Sequence, residues 1–183
     1  MICIETGIAG VCIVESESVL DHRGAFSRIF CSDELRPVFG NRQLVQINHT
    51  RTSRVGTIRG LHFQFGPQSE MKMVRCLKGR VWDVAVDLRR GSTTFLKWFG
   101  AELTPELNRA LVVPEGCAHG FQVLQSESEL LYIHTAMYSK SHEGGVRFDD
   151  PSINISWPLP VAELSVRDAN LPLIAPDFEG LPS

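Results

Sequence analysis

The chain has 183 residues, 43% hydrophobic and 21% charged, the length and balance of one ordinary globular domain, which excludes a disordered chain and a fold that depends on metal or disulfides. A formal charge of −3 excludes a general binder of nucleic acid or anionic membrane, because the net field repels both. No stretch reaches the roughly 18 uncharged apolar residues of a spanning helix, and the apolar start "MICIETGIAGVCIV" lacks a basic region and is broken by Glu5, so neither an anchor nor a secretory signal is expected. The five cysteines, Cys3, Cys12, Cys31, Cys76 and Cys117, are odd in number and form no Cys-x-x-Cys pair, which predicts reduced thiols and a cytoplasmic protein.

Taken in chain order, the first strand-like run is "GVCIVES". "CSDELRPVFG" follows as the one helical stretch, with Ser32 or Asp33 as the expected N-cap and Pro37 limiting its length. Then come "LVQINHT", "GTIRGLHFQ", "MKMVRCLKG", "RVWDVAVDLR", "LKWFGAEL", "RALVVPEG", "HGFQVLQS" and "ELLYIHTAMYS", each bounded by Gly, Pro, Ser, Asp or Asn. Many short strands with almost no helix between them predict an all-β, antiparallel sandwich or barrel. The proline-rich tail from Trp157 is expected to wrap the surface, leaving a single domain over 1–183.

Alternation predicts which side chains share a face. In "VWDVAVDL", Trp82, Val84, Val86 and Leu88 lie opposite Val81, Asp83, Ala85 and Asp87. In "ELLYIHTAMYS", Leu130, Tyr132, His134, Ala136 and Tyr138 share a face, opposite the oilier Leu131, Ile133, Thr135 and Met137. Both tyrosines of the chain would then project from one strand into a polar-lined barrel interior.

Four clusters carry residues fit for chemistry. The first is Arg59, His62 and Gln64, followed by Lys72. Strict alternation puts Ile58, Gly60, His62 and Gln64 together, so Arg59 and His62 line one cavity only if the strand bulges at Gly60. Otherwise His62 is a bonded core histidine and Arg59 a surface ion-pair partner. The second is "PEGCAHGF", a turn that delivers His119 to the next strand, either as the mouth of a tight hairpin or as a ligand contact. The third is Tyr132 and Tyr138, and the fourth is Asp168 beside Arg167, which by spacing alone is a solvated pair unconnected to His62. His62, His119 and His134 also leave a metal-dependent barrel open, although neither "LHFQ" nor "AHGF" supplies a close His-x-His pair. No phosphate loop, nucleophile elbow or Cys-x-x-Cys zinc spacing is present in the sequence.

In order and at matching separations, "DHRGAFSRIF", "VQINHTRTSRVGTIRGLHFQ", "KMVRCLKGRVWDVAVDLRRGSTTF", "VPEGCAHGFQVL", "LLYIHTAMYS", "EGGVRFDDPSINISWPLP" and "LSVRDANLP" resemble the dTDP-4-dehydrorhamnose 3,5-epimerase family over nearly the whole chain. The resemblance implies a cupin-type jelly-roll barrel with a few short helices. It also implies a homodimer that works without metal or organic cofactor. The activity it implies is inversion of C3 and C5 of dTDP-4-dehydro-6-deoxy-D-glucose, in dTDP-L-rhamnose biosynthesis. It makes His62 the base, Asp168 the carboxylate that orients it and Tyr132 the acid on the opposite face. Arg59, Lys72 and His119 match positions that hold the substrate and its developing charge. Arg23, Gln46, Asn48, Glu143 and Arg167 match nucleotide-sugar contacts, Tyr138 an aromatic position beside the sugar, and Arg23 with Phe26 a segment reaching the neighbouring subunit. Two positions depart from that pattern, Arg28 where an acidic residue is implied and Ile47 where aspartate is common. Inversion at C3 only or C5 only, a metal-dependent cupin oxygenase or isomerase holding metal on His62, His119 and His134, and a silent sugar-nucleotide binder are the competing readings.

Overall fold

The computed structural model describes residues 1–182, so the last residue of the expected single domain lies outside the described residues. In chain order its elements are β1 (Ile2–Glu5), β2 (Cys12–Glu15), β3 (Ser18–Asp21), β4 (Gly24–Ser27), α1 (Arg36–Phe39), β5 (Gln46–Thr52), β6 (Ile58–Gln64), β7 (Lys72–Lys78), β8 (Val81–Asp87), β9 (Trp98–Leu103), β10 (Arg109–Val113), β11 (Cys117–Val123), β12 (Ser128–His134), β13 (Glu143–Gly145) and α2 (Val166–Ala169). One sheet runs β1-β2-β10-β7-β12-β5, the other β13-β6-β11-β8-β9, and β3-β4 form a separate hairpin. All strand pairs within the sheets are antiparallel, giving the all-β, cupin-type jelly-roll barrel with two short helices. No helix among the described residues is long and apolar enough to cross a membrane.

Alternation sorts the strands into three apolar layers. Between the sheets lie Ile13, Val74, Leu111 and Leu130 from the first and Val81, Ala85, Phe121 and Val123 from the second. The outer face of the six-stranded sheet, with Val14, Met73, Val112 and Ile133, is covered by Leu35 and Phe39 around α1. The outer face of the five-stranded sheet, with Leu61, Val84, Val86 and Ala118, is covered by the tail through Trp157, Ile174, Phe178 and Leu181. Each such side chain fully withdrawn from water contributes about 1.5–3 kcal/mol, so these layers hold the barrel and free the polar inner positions for other work. The expected two faces of β8 are observed, with Val81 and Ala85 inside and Trp82, Val84 and Val86 outside.

The tail wraps as expected. Trp157 Nε1 donates to Phe148 O at 2.9 Å, and the Gln122 amide exchanges hydrogen bonds with the backbone of Leu159 at 2.8 and 3.0 Å.

Two local expectations are corrected. The helix in "CSDELRPVFG" spans only Arg36–Phe39, and neither Ser32 nor Asp33 caps it, since Leu35 holds that position without a side-chain bond. Pro37 sits in its first turn, where a missing N–H costs nothing, so it starts the helix rather than ending it. The residues before it close turns instead, Leu35 N donating to Cys31 O at 2.9 Å. The strand expected over 129–139 stops at His134 because both its partners stop there: His134 pairs with Gln46, the first residue of β5, and with Lys72, the first of β7. Tyr138 therefore does not share a strand with Tyr132, and Met137 is exposed rather than part of an oily face.

Candidate active site

A cavity of about 350 Å³ opens between the sheets and borders the inner apolar layer at Phe121 and Tyr132. Gln46, Asn48 and Thr50, alternate residues of β5, line one wall. The facing wall belongs to β6, where alternation breaks. His119 pairs with His62 and Phe121 with Arg59, so three steps along β6 match two along β11 and the extra residue is a bulge at Gly60 and Leu61. The bulge turns Arg59 and His62 to the same cavity and sends Leu61 into the outer layer. Gly60 has φ +119°, and a Cβ there would lie 2.7 Å from both Gly120 Cα and His119 O, so no other residue fits.

The residue most remote from His62 in the sequence completes the first pair. Ser165 caps α2 by accepting from Asp168 N at 3.0 Å, and this fixes Asp168 in the first turn, 3% exposed, against β6. His62 Nε2 lies 2.7 Å from Asp168 Oδ1, and Gly60 N donates to Oδ2 at 3.3 Å. Burial pushes the Asp168 carboxyl up, but the His62 hydrogen bond and charge and the Gly60 N–H outweigh it and hold the group below its ordinary range. An ionised Asp168 accepts a proton-bearing Nε2, which leaves Nδ1 of His62 with the free lone pair.

Tyr132 projects into the same cavity from β12. Its ring meets His119 edge-on, centroids 5.7 Å apart at 80°, and stacks on His134 at 6.0 Å and 14°, so two neighbours set its orientation. Burial and then the charge of Asp83 push its phenol well above the ordinary value, with Arg59 pulling the other way, so it stands protonated. Lys72, 8% exposed, pairs with Glu70 at 3.0 Å and donates to His62 O at 3.4 Å. Arg59 is steadied by Thr52, its Nε donating to Oγ1 at 2.9 Å.

At the cavity rim, Tyr138 is held by two bonds although it is off the strand. Its N–H donates to Gln46 Oε1 at 3.1 Å and its hydroxyl to Glu143 Oε2 at 2.9 Å. Arg167 pairs with Glu143 at 2.6 Å. Gln46, Asn48, Arg59, His62, Lys72, His119, Tyr132, Tyr138, Glu143, Arg167 and Asp168 thus all line one cavity. Arg23 and Phe26 do not line it. They lie on the β3-β4 hairpin, where Arg23 pairs with Asp21 at 2.5 Å and Phe26 is 75% exposed. Arg28 pairs with Glu34, and Ile47 is exposed.

Two wall residues, Glu70 and Thr50, and one behind the wall, Asp83, carry no site signal in the motifs of the sequence. Asp83 Oδ1 accepts from His119 Nε2 at 2.8 Å, and Glu70 Oε2 from His134 Nδ1 at 2.7 Å, making a second and a third histidine–carboxylate pair. Thr50 Oγ1 is buried and faces the Tyr132 phenol, whose pKa it pulls down against the stronger push of burial. An aspartate on the inner face of β8, among Val81 and Ala85, was a readable signal, because a charge on an apolar face needs a partner. The three imidazoles each bind a different carboxylate, and among the described residues no three His, Cys, Asp or Glu side chains converge as a metal set.

The family model described as dTDP-4-dehydrorhamnose 3,5-epimerase matches residues 5–176. The chain is 43% identical to the dTDP-4-dehydrorhamnose 3,5-epimerase of Salmonella typhimurium, over 95% of this chain and 96% of that one. It superposes with TM-score 0.89 and 38% identity on a dTDP-6-deoxy-D-glucose-3,5-epimerase from Legionella pneumophila in complex with dTDP-4-keto-L-rhamnose, covering 93% and 91% of the two chains. A 3'-monoepimerase from Streptomyces bikiniensis in complex with dTDP-quinovose is also similar, with TM-score 0.88, 30% identity and coverage of 98% and 92%.

Proposed function

Because this chain belongs to the dTDP-4-dehydrorhamnose 3,5-epimerase family, we propose that His62, Asp168, Tyr132 and Lys72 carry the reaction, inverting C3 and C5 of dTDP-4-dehydro-6-deoxy-D-glucose through proton removal next to the C4 ketone. The observation that carries the reading is the 2.7 Å His62–Asp168 pair opening on the cavity that also holds a protonated Tyr132.

Inverting a carbon next to a ketone needs a proton taken from one face and another delivered to the opposite face. In this reading His62 Nδ1 takes the proton, the C–H electron pair moves into an enolate on the C4 oxygen, and Asp168 steadies the imidazolium that forms. Lys72, and Arg59 and His119 beside it, stabilise the enolate oxygen, a fixed donor being worth about 3 kcal/mol. Tyr132 then protonates the carbon from the other side and recovers its proton from solvent, while the His62 imidazolium gives its proton up to solvent and returns to the neutral base. Gln46, Asn48, Tyr138, Glu143 and Arg167 hold the nucleotide end, arginine suiting a diphosphate through its paired donors. The substrate is a dTDP-bound 4-keto-6-deoxyhexose, and the working compartment is the cytoplasm, consistent with five free cysteines.

The test is incubation with dTDP-4-dehydro-6-deoxy-D-glucose in deuterated water, followed by NMR. Deuterium is expected at both C3 and C5 of an inverted product. Label at C3 alone would make the enzyme a C3 epimerase, and no label at either carbon would sink the reading.

The same reading takes the β3-β4 hairpin as the dimer contact. Val19, Leu20 and Phe26 are 68%, 74% and 75% exposed, an apolar finger left open by the described residues of its own chain. Seated on a second copy, it would bring Arg23 and Phe26 to the neighbour's cavity. Light scattering is expected to give twice the 20.4 kDa of one chain, and Phe26→Asp to lower that mass and raise KM together. A fully active single chain would refute the contact.

A further inference from the structure

His134 is 7% exposed, lines the cavity and has no step in the reaction above, yet both its ring nitrogens are engaged. Nδ1 lies 2.7 Å from Glu70 Oε2 and Nε2 lies 3.3 Å from Asn48 Nδ2. Followed outward, these bonds form one chain whose two ends have fixed chemistry. At one end the Tyr138 backbone N–H can only donate, so the atom it meets at 3.1 Å is Gln46 Oε1. The Gln46 amide nitrogen therefore faces Asn48 and donates to Oδ1 at 3.2 Å, which leaves Asn48 Nδ2 to donate towards His134. At the other end Glu70 is a carboxylate, an acceptor only. Burial pushes its carboxyl up, but the His134 hydrogen bond and the charge of Lys72 hold it below its ordinary range.

Every link thus points the same way, from Tyr138 through Gln46, Asn48 and His134 to Glu70. Only one state of His134 fits both neighbours, the neutral ring with its proton on Nδ1 and its lone pair on Nε2. Turning the Asn48 amide over would set oxygen against that lone pair and an NH₂ against the NH₂ of Gln46. Glu70 meanwhile offers its second oxygen, Oε1, to Lys72 at 3.0 Å.

We infer that His134, as the Nδ1–H tautomer, is a positioning residue with two outputs. Its Nε2 sets which edges Asn48 and Gln46 present to the nucleotide, and its Nδ1–H, by orienting Glu70, sets Lys72 against the substrate ketone. The inference rests on the reading that Asn48 and Gln46 touch nucleotide and Lys72 the reacting end. It makes the two ends of the cavity one hydrogen-bonded unit, so that neither amide is free to turn over for a different donor and acceptor pattern.

Two conservative variants separate the outputs. An asparagine ends near the place of Nδ1, so His134→Asn keeps a donor for Glu70 and loses the acceptor for Asn48. A glutamine reaches the place of Nε2, so His134→Gln keeps an acceptor for Asn48 and loses the donor to Glu70. His134→Asn is expected to raise KM about tenfold with a smaller change in kcat, and His134→Gln to lower kcat about tenfold with a smaller change in KM, the size of one lost hydrogen bond. The same split in both variants, or no split in either, overturns the inference. Asn48→Ala is the control: raised KM there but not in His134→Asn sinks the positioning role alone, whereas unchanged KM sinks the nucleotide contact and this inference with it. Nitrogen NMR of the unmutated protein needs no variant to fold. It is expected to find the His134 proton on Nδ1, and a proton on Nε2 instead would refute the relay.

Discussion

His62→Ala is expected to stop deuterium entering C3 and C5, with kcat reduced about a thousandfold, because the group that takes the proton is gone and general-base catalysis is worth about a hundredfold to ten-thousandfold. Water is a poor substitute at this position. Asp168, the nearest carboxylate, accepts from Gly60 N and His62, stays ionised through the neutral range, and is only 3% exposed. Its low basicity makes it a poor replacement for an imidazole, whose ordinary pKa lies near neutrality. The alanine variant also leaves that buried carboxylate with one partner fewer, a cost of about 1–3 kcal/mol, so the loss of activity must be read against a folding control. His62→Gln supplies it. Its amide reaches the place of Nε2, keeps a donor for Asp168 and has no basic lone pair to offer. A folded His62→Gln or His62→Ala protein that washes in deuterium at the unmutated rate would remove His62 from the base role.

The base and its partner were unequally legible. Strand alternation turns Arg59 away from His62, and Gly60 marks the place where a bulge is easiest, so the sequence puts the two in one cavity only on the condition that the strand bulges there, as it does. Asp168 was invisible by spacing, because its approach to β6 depends on the tail closing over the sheet and on Ser165 capping a four-residue helix. Only the order of motifs along the chain singled it out. Tyr138 shows the opposite failure. Alternation was carried four residues too far, since no pattern within one strand says where its neighbours β5 and β7 begin. β3 and β4 carry no strand signal in the sequence, since nearly every residue of the hairpin is exposed and no buried face imposes a period on it. Asp83 and Glu70 belong to pairs that long-range register creates, Asp83 with His119 on β11 and Glu70 with His134 on β12.

Tyr132→Phe is expected to separate the two halves of the reaction, keeping deuterium exchange within about tenfold of the unmutated rate while inversion falls at least about a hundredfold, the lower end of what a positioned general acid contributes. The substitution removes one oxygen and leaves the ring, whose edge-on contact with His119 and stacking on His134 do not involve the hydroxyl. The cavity therefore keeps its shape, and His62 still opens the C–H bond. What is lost is the proton on the far face, so the enolate is reprotonated from the side of His62 and returns labelled but not inverted. Alkaline stability supplies a second readout with a definite sign. Burial and Asp83 raise the phenol above its ordinary 10.0, so the unfolded chain ionises this group first and the fold loses stability as pH climbs past that value. A phenyl ring at this position cannot ionise, so the variant should lose less stability than the unmutated protein between neutral and strongly alkaline pH. A variant that inverts both centres at the normal rate would take the acid role away from Tyr132. One that loses exchange and inversion equally would place the hydroxyl at proton removal instead.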